Sequence, residues 1–257
     1  MNYGLYLSAN GISCSQHKMN VLANNLANVN TTAFKPSEVV MAERPREPEQ
    51  MRSGFDSRQL LEQLGGGTTV GYSGPNLRQG SIERTEQKTD LALRGEGFLH
   101  LEGERGGRTN LTRDGRLRFD DQGVLQHAAS GLSVLDERGR VIRLSGDEQL
   151  RFAGFGARGE LLDRENLNEP LAKMALVKPE TMSVKPAGEN LFVTREQVLS
   201  DSTTEVIGES LESSGADPVT GMIEMIKLTR EIEMNSRLIQ YQDAMIGQAV
   251  TSLGRVV

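Results

Sequence analysis

Residues able to do chemistry are sparse in this chain and poorly grouped. Histidine occurs three times, at His17, His100 and His127, with no spacing that would let two of them share a metal. The single cysteine, Cys14, rules out an internal disulfide. It stands among small residues on an expected helix, with no histidine–carboxylate set beside it to activate a thiol. Gly95-Glu96-Gly97 lacks the third glycine of a dinucleotide cradle and reads as a tight hairpin turn or bulge between two strands. The Asp- and Gly-rich turns lack the full ligand spacing of a calcium loop. Glu205, Glu209 and Glu212 could pair carboxylates for acid–base work, but nothing places a nucleophile beside them, and a solvated face is expected. No Ser–His or Cys–His signature is present. These absences argue against an enzyme, and no cofactor or metal is expected.

One polar constellation stands out. The stretch ANNLANVNTTAFKP, residues 23–36, holds Asn24, Asn25, Asn28 and Asn30 within seven positions. Asparagine is a mediocre helix former but tolerates the left-handed conformation just past a helix end. Asn20, Asn24 and Asn28 are spaced i, i+4, i+8, which sets an amide row along one helix face. Thr31-Thr32 favour a turn, and Pro36 pushes Lys35 into an extended conformation. The asparagines can therefore cap, turn and form lateral hydrogen bonds.

The element carrying this row is an amphipathic helix. Leu5, Ile12, Met19 and Leu26 recur every seven residues, and Ser8, Ser15, Leu22 and Val29 follow three positions on. Small residues around the seam (Ala9, Gly11, Ser13, Ala23, Ala27) would let a neighbouring helix come close. At the other end, Asp217-Pro218 supplies an N-cap and a first-turn proline. Met225, Ile232, Ile239, Ile246 and Leu253 then repeat every seven residues, and Leu228, Leu238 and Met245 widen the stripe. This helix is expected to run for about 35 residues, well beyond the usual length of ~11–12.

Between the helices the pattern changes. Residues 36–78 read as a linker or extended region, with a short helix over Arg58–Leu64 ended by Gly65-Gly66-Gly67. From 79 to 205, Leu91-Ala92-Leu93 and Phe98–Leu101 read as strands. Turn signals at Asp120–Gly123, Asp136–Gly139 and Gly156–Gly159 lie between short apolar runs, which indicates antiparallel hairpins. Leu171–Val177 and Asn190–Thr194 extend this region. The expected fold is α+β: coiled-coil-forming helices at 1–35 and 206–257 flank a β-rich middle domain of antiparallel hairpins. The heptad stripes could serve an intramolecular core or assembly between subunits. Their places at the two ends, around a middle with its own strands, favour ends that fold fully against other subunits.

Composition narrows the partners. The formal net charge is -6 over 257 residues, with a pI near 5.3, so no basic nucleic-acid footprint is expected. Aromatic residues are 4% and hydrophobic residues 37%, which predicts a thin core. The N-terminal stretch has no basic region, apolar run or cleavage site of a Sec signal. No apolar run approaches the ~18 residues that span a bilayer, so no membrane insertion is expected. The chain is cytosolic or exported by a route that reads no cleaved signal.

The motifs resemble one family throughout. ANNLANVNTTAFK (23–35) is similar to the N-terminal signature ANNLANVNTTGFK of bacterial flagellar basal-body rod and hook proteins. Ala33 stands where that signature has glycine, which predicts a less left-handed turn. TDLALRGEGFLHLE (89–102), NLTRDGRLRFDDQGVL (110–125), GENLF (188–192) and GESLESSGADPV (208–219) resemble further segments of the family in the same order. Ser214-Gly215-Ala216 stands where the family has Ser-Asn-Val. MIEMIKLTREIEMNSRLIQYQDAMI (222–246) is similar to the C-terminal helix of rod proteins.

The resemblance implies a structural, non-enzymatic subunit of the basal-body rod, the drive shaft that crosses the periplasm. Such subunits leave the cytoplasm through the flagellar type III export apparatus without cleavage. They polymerise helically with themselves and with other rod and hook subunits. Terminal helices line the export channel and the β domain lies outside. The implied assembly residues are Leu5, Ile12, Met19, Leu22, Asn24, Asn25, Leu26, Asn28, Val29, Met225, Ile232, Ile239 and Ile246. Chain length favours a rod protein over a longer hook protein, and the 37–78 segment leans towards the distal rod. A free-standing β-rich secreted adhesin or binding module is the competing reading.

Overall fold

The computed structural model describes residues 2–43, 67–103, 108–166, 169–179, 183–201 and 203–253. The expected helix over Arg58–Leu64 lies outside them. The described helices are α1 (Asn2–Ala27), α2 (Gly146–Arg151) and α3 (Pro218–Leu253). The first strands are β1 (Ser37–Glu43), β2 (Thr68–Pro75), β3 (Ile82–Arg84), β4 (Leu91–Arg94), β5 (Phe98–Leu101) and β6 (Thr109–Thr112). Then come β7 (Leu117–Phe119), β8 (Leu125–His127), β9 (Phe152–Phe155), β10 (Glu160–Asp163), β11 (Ala172–Lys173) and β12 (Leu176–Pro179). The last are β13 (Lys185–Gly188), β14 (Leu191–Thr194), β15 (Val198–Ser200), β16 (Glu205–Gly208) and β17 (Ser210–Glu212). The fold has an N-terminal helix, a β-rich middle of antiparallel strands and a C-terminal helix.

The chain divides into two compact units. The helical unit takes its described residues from 1–27, 37–74 and 217–257; the β unit takes its own from 28–36 and 75–216. In the helical unit, part of the region expected to be a linker is ordered. β1 and β2 pair as a two-stranded sheet. Cys14 Sγ reaches the Thr68 carbonyl at 3.5 Å, so the lone thiol serves as a packed donor. α3 starts where Asp217-Pro218 predicts. The Asp217 carboxylate accepts the Val219 N–H at 3.0 Å, a backbone donor that a first helical turn leaves open, and also the Thr220 hydroxyl at 2.5 Å.

The β unit centres on a six-stranded antiparallel sheet in the order β13-β14-β6-β5-β12-β15. Side chains alternate across a strand, and both faces of the central strands β5 and β12 are buried, while the edge strand β13 is exposed. Leu99, Leu101 and Leu176 enter the larger core with Leu91, Leu93, Leu117, Leu125, Phe152 and Leu161. Phe98, Leu111, Val177 and Phe192 build the smaller core, where the Phe98 and Phe192 rings meet edge to face at 5.7 Å. The expected turns recur in place. Asp120 closes the β7–β8 hairpin by accepting the Gln122 and Val124 N–H groups, and Gly156–Gly159 joins β9 to β10. One expectation is corrected. β4 and β5 are not a hairpin: β4 pairs with β16, while β5 pairs with β6 and β12. Gly95-Glu96-Gly97 carries the chain from one sheet to another. A Cβ on Gly95 or Gly97 would press on Thr204, at 2.8 and 2.7 Å from its hydroxyl oxygen, so close backbone approach explains these glycines.

Candidate assembly interface

In the helical unit, α1 and α3 lie against each other along their seams. The helices run antiparallel: Gly4 faces Gln242, and one heptad on, Gly11 faces Asn235. A Cβ on Gly4 would sit 2.7 Å from the Gln242 amide nitrogen, and one on Gly11 would sit 3.1 Å from that of Asn235. The missing side chains make room for two amides. On α3 the sheltered positions include Gly221, Met225, Leu228, Ile232, Asn235, Ile239, Gln242, Ile246 and Ala249, a 4-3 alternation. Met225, Ile232, Ile239 and Ile246 thus occupy the seam that their spacing predicts. Of the residues expected to widen it, Leu228 is buried, whereas Leu238 and Met245 are not. With Met234 and Tyr241 they form a second stripe at 4-3-4 spacing, 44–67% exposed, one position round the helix from the seam. Val219, Met222, Ile223 and Ile226 are exposed near the helix start.

On α1, Leu5, Ile12, Met19, Leu22 and Leu26 are half-buried, while Ser8, Ser15 and Asn25 are the buried positions. The small serines, not the large apolar residues, mark the tightest part of the helix. The helix ends at Ala27, so Asn28 and Val29 lie in the turn beyond it. Asn25 spends its amide within the chain. It donates to the Ser37 carbonyl and accepts the Ser37 N–H, both at 2.9 Å, as a strand neighbour would. Asn28 accepts the Thr31 hydroxyl at 3.2 Å, and its carbonyl accepts the Thr31 N–H at 3.1 Å, closing the turn. Asn24 stands exposed on the helix, with an interaction of its own.

The rest of the signature belongs to the β unit. Residues 33–36 are stitched into it by backbone bonds: Ala33 N–H to the Glu212 carbonyl (2.7 Å), Gly215 N–H to Phe34 (2.9 Å) and Asn76 N–H to Pro36 (2.8 Å). Ala33 corrects the expectation of a less left-handed turn. It is buried and holds φ at +54°, the conformation that glycine adopts without strain. The neighbouring bonds hold it there.

A second correction concerns the carboxylates. Glu205 and Glu209 are solvent-facing and pair with Arg94 (3.1 Å) and Arg84 (3.0 Å), but Glu212 is completely buried. Glu209, between β16 and β17, takes φ +51°, and Val206, Ser210 and Glu212 all face inward. The partners of Glu212 are Lys35, 2.6 Å away, and Arg113. Sequence reading missed all three as a group. Burial pulls the Lys35 ammonium below its ordinary pKa, with Glu212 opposing that pull.

A further buried network involves His127, the one fully buried histidine of the three. Its Nδ1 faces the Ser130 hydroxyl at 2.8 Å and receives the Ser130 N–H at 3.3 Å. Its Nε2 lies 3.4 Å from the Asp114 carboxylate. The Nδ1 lone pair is taken up by the 127–132 turn, so the set holds a turn and is not arranged as a general base. Asp114 is also gripped by Arg116 at 2.6 Å and by the Asn190 amide at 3.1 Å, and the same amide donates to the Thr32 carbonyl. Burial pushes the Asp114 carboxyl up, but the His127, Arg116 and Asn190 contacts outweigh it and hold the group well below the usual carboxylate range. Among the described residues, no group of His, Cys, Asp and Glu is arranged to hold a metal, and no helix is long and apolar enough to cross a membrane.

Comparison with known proteins agrees with both ends. Residues 5–35 match the family "Flagella basal body rod protein", and residues 208–252 match "Flagellar basal body rod FlgEFG protein C-terminal". The chain is 26% identical to the flagellar basal-body rod protein FlgF of Caulobacter vibrioides, with all of both chains covered. It is 26% identical to FlgG of Bacillus subtilis over 96% of this chain and 97% of that one. Similarity to the flagellar hook protein FlgE of Helicobacter pylori reaches 35%, but over 47% of this chain and only 17% of the hook protein. Both ends thus match flagellar basal-body rod family models, and the whole chain is similar to flagellar basal-body rod proteins over nearly their full length.

Proposed function

We propose that this protein is a structural subunit of the flagellar basal-body rod, located in the basal body after export through the flagellar type III apparatus. In this reading it is not an enzyme. Its copies polymerise helically with each other and with other rod and hook subunits. The terminal arms, residues 1–35 and 206–257, form coiled coils around the export channel, and the β region, 79–205, lies outside. The observation that carries the reading is the exposed apolar stripe Met234, Leu238, Tyr241 and Met245. A soluble monomer leaves such a patch bare at the risk of aggregation, so a contiguous one marks an interface. The seam residues Leu5, Ile12, Met19, Leu22, Leu26, Met225, Ile232, Ile239 and Ile246 bring the two helices together, and the stripe faces the neighbouring copy. Asn24, Asn28 and Val29 stand near the end of α1, where lateral contacts would fall. Asn25, already bonded to Ser37, supports this region from within. Full-length coverage of rod relatives, against a small fraction of the hook relative, favours rod over hook.

The test is electron microscopy of basal bodies from a strain lacking the gene. Truncated rods without hooks are expected. Intact basal bodies bearing hooks would overturn the proposal and bring forward the adhesin reading.

A further inference from the structure

The chain passes between its two units at four points: after residues 27, 36, 74 and 216. Three stretches of the β unit adjoin those points, around 33–36, 76–81 and 210–215. All three converge on one carboxylate. Glu212 Oε1 accepts the Lys35 ammonium at 2.6 Å and the Gly80 N–H at 2.7 Å. Lys35 also donates to the Arg78 carbonyl at 2.8 Å. The main chain repeats the pattern: the Glu212 carbonyl accepts Ala33 N–H, and Ser213 N–H donates to Ser81 at 2.7 Å. A Cβ on Gly80 would lie 2.3 Å from the Ser213 carbonyl oxygen, so only glycine lets these two stretches come together. We propose that Glu212 is the hub of a junction clasp: one buried anion that makes the three stretches leading to the helical unit hold or loosen together.

The charges around it are unequal. Glu212 meets two buried cations, Lys35 and Arg113. Arg113 is held independently. Its guanidinium donates to the Gly95 carbonyl and, at 3.1 Å, to that of Gly97, and it lies 5.2 Å above the Phe98 ring. Its Nη1 stands 3.8 Å from Glu212 Oε2, and neither atom has a hydrogen-bond partner. Removing the anion leaves two buried cations uncompensated, whereas removing Lys35 leaves a balanced Glu212–Arg113 pair. The clasp therefore depends on its carboxylate more than on its lysine.

Hydrogen exchange read by mass spectrometry on the full chain tests this. In Glu212→Gln, amides of 33–36, 76–81 and 210–215 are expected to lose protection together, by about tenfold or more, while the β9–β10 hairpin keeps its own. In Lys35→Met the loss is confined to 33–36 and 76–81, the stretches its ammonium bridges, and 210–215 keeps its protection. If Glu212→Gln does not fold, Glu212→Asp is measured in its place. It keeps the charge but is one methylene too short to reach both Lys35 and Gly80, and the same three-part loss is expected at smaller size. Loosening confined to 210–215, equal loss in Lys35→Met, or uniform loss across the β unit would each overturn the clasp.

Discussion

The β unit buries a cluster of charged side chains, and the helical unit exposes a row of large apolar ones. In the first, Glu212, Lys35, Arg113, Asp114 and His127 are all buried, each held by named partners, above two apolar cores. In the second, nine large hydrophobic side chains among the described residues of α3 are exposed: Val219, Met222, Ile223, Ile226, Met234, Leu238, Tyr241, Met245 and Val250. Burying ions costs desolvation and leaving apolar area in water forgoes its burial, so each choice needs a compensating structure. The β unit compensates within itself. In the helical unit the exposed residues of α3 have no such cover among the described residues, and the proposed assembly would supply it.

Four measurements would sharpen or break that contrast. Phe98→Ala removes the ring shared by the smaller core and the Arg113 stack, and should cost about 3–5 kcal/mol in denaturant unfolding of the β unit. A loss below 1 kcal/mol would mean that this core does not sustain the unit.

Asp114→Asn comes next, read as stability against pH. The folded carboxyl titrates below the unfolded one, near 3.9, so its stabilisation is present above that pH and is lost as pH falls towards the folded value. In the native sequence this adds up to about 1.4 kcal/mol of loss per pH unit below pH 4. The variant should be less stable at pH 7 and flatter with acid. Parallel curves would remove Asp114 from the account of acid sensitivity.

Ala33→Gly should stabilise by about 0.5 kcal/mol, because relief of the left-handed strain slightly exceeds the loss of one buried methyl. Destabilisation in a thermal melt would mean that the strain is already absorbed by the bonds around it.

The smallest expected effect on the chain is the largest on assembly. Leu238→Asp with Tyr241→Asp should alter monomer stability by no more than about 0.5 kcal/mol, yet prevent rod formation. Normal rods would show that the stripe is not an interface, and a collapsed monomer that it is core.

Much of this fold was legible in the sequence because its signals are periodic. Seven-residue recurrence located α1 and α3, Asp217-Pro218 fixed the start of the second, and Asp/Gly turns fixed the β7–β8 and β9–β10 connections. What escaped was non-local or conditional. The six-stranded order joins strands far apart in the chain, and no local pattern encodes β4 pairing with β16. Ser145 and Glu148 are spaced as a capping box, and Glu148 does accept the Ser145 N–H at 2.6 Å, but six residues of α2 are too few for a periodic signal. Glu212 was expected in solvent with Glu205 and Glu209, because its buried cations Lys35 and Arg113 lie far away in the chain and no local pattern announces them. The heptad pattern named the seam residues of α3, yet it could not tell Leu228 inside from Leu238 outside. That choice depends on where α1 lies.

The two amide-over-glycine contacts have a mechanical consequence. They stand one heptad apart, so sliding α3 by a single residue drives an amide into a side chain on α1. Only a shift of seven residues, about 10 Å at 1.5 Å per residue, returns an amide to a glycine, by bringing Asn235 over Gly4. The pair behaves as a detent with widely spaced notches. Under axial load such a pair would resist small slippage and yield only in whole steps.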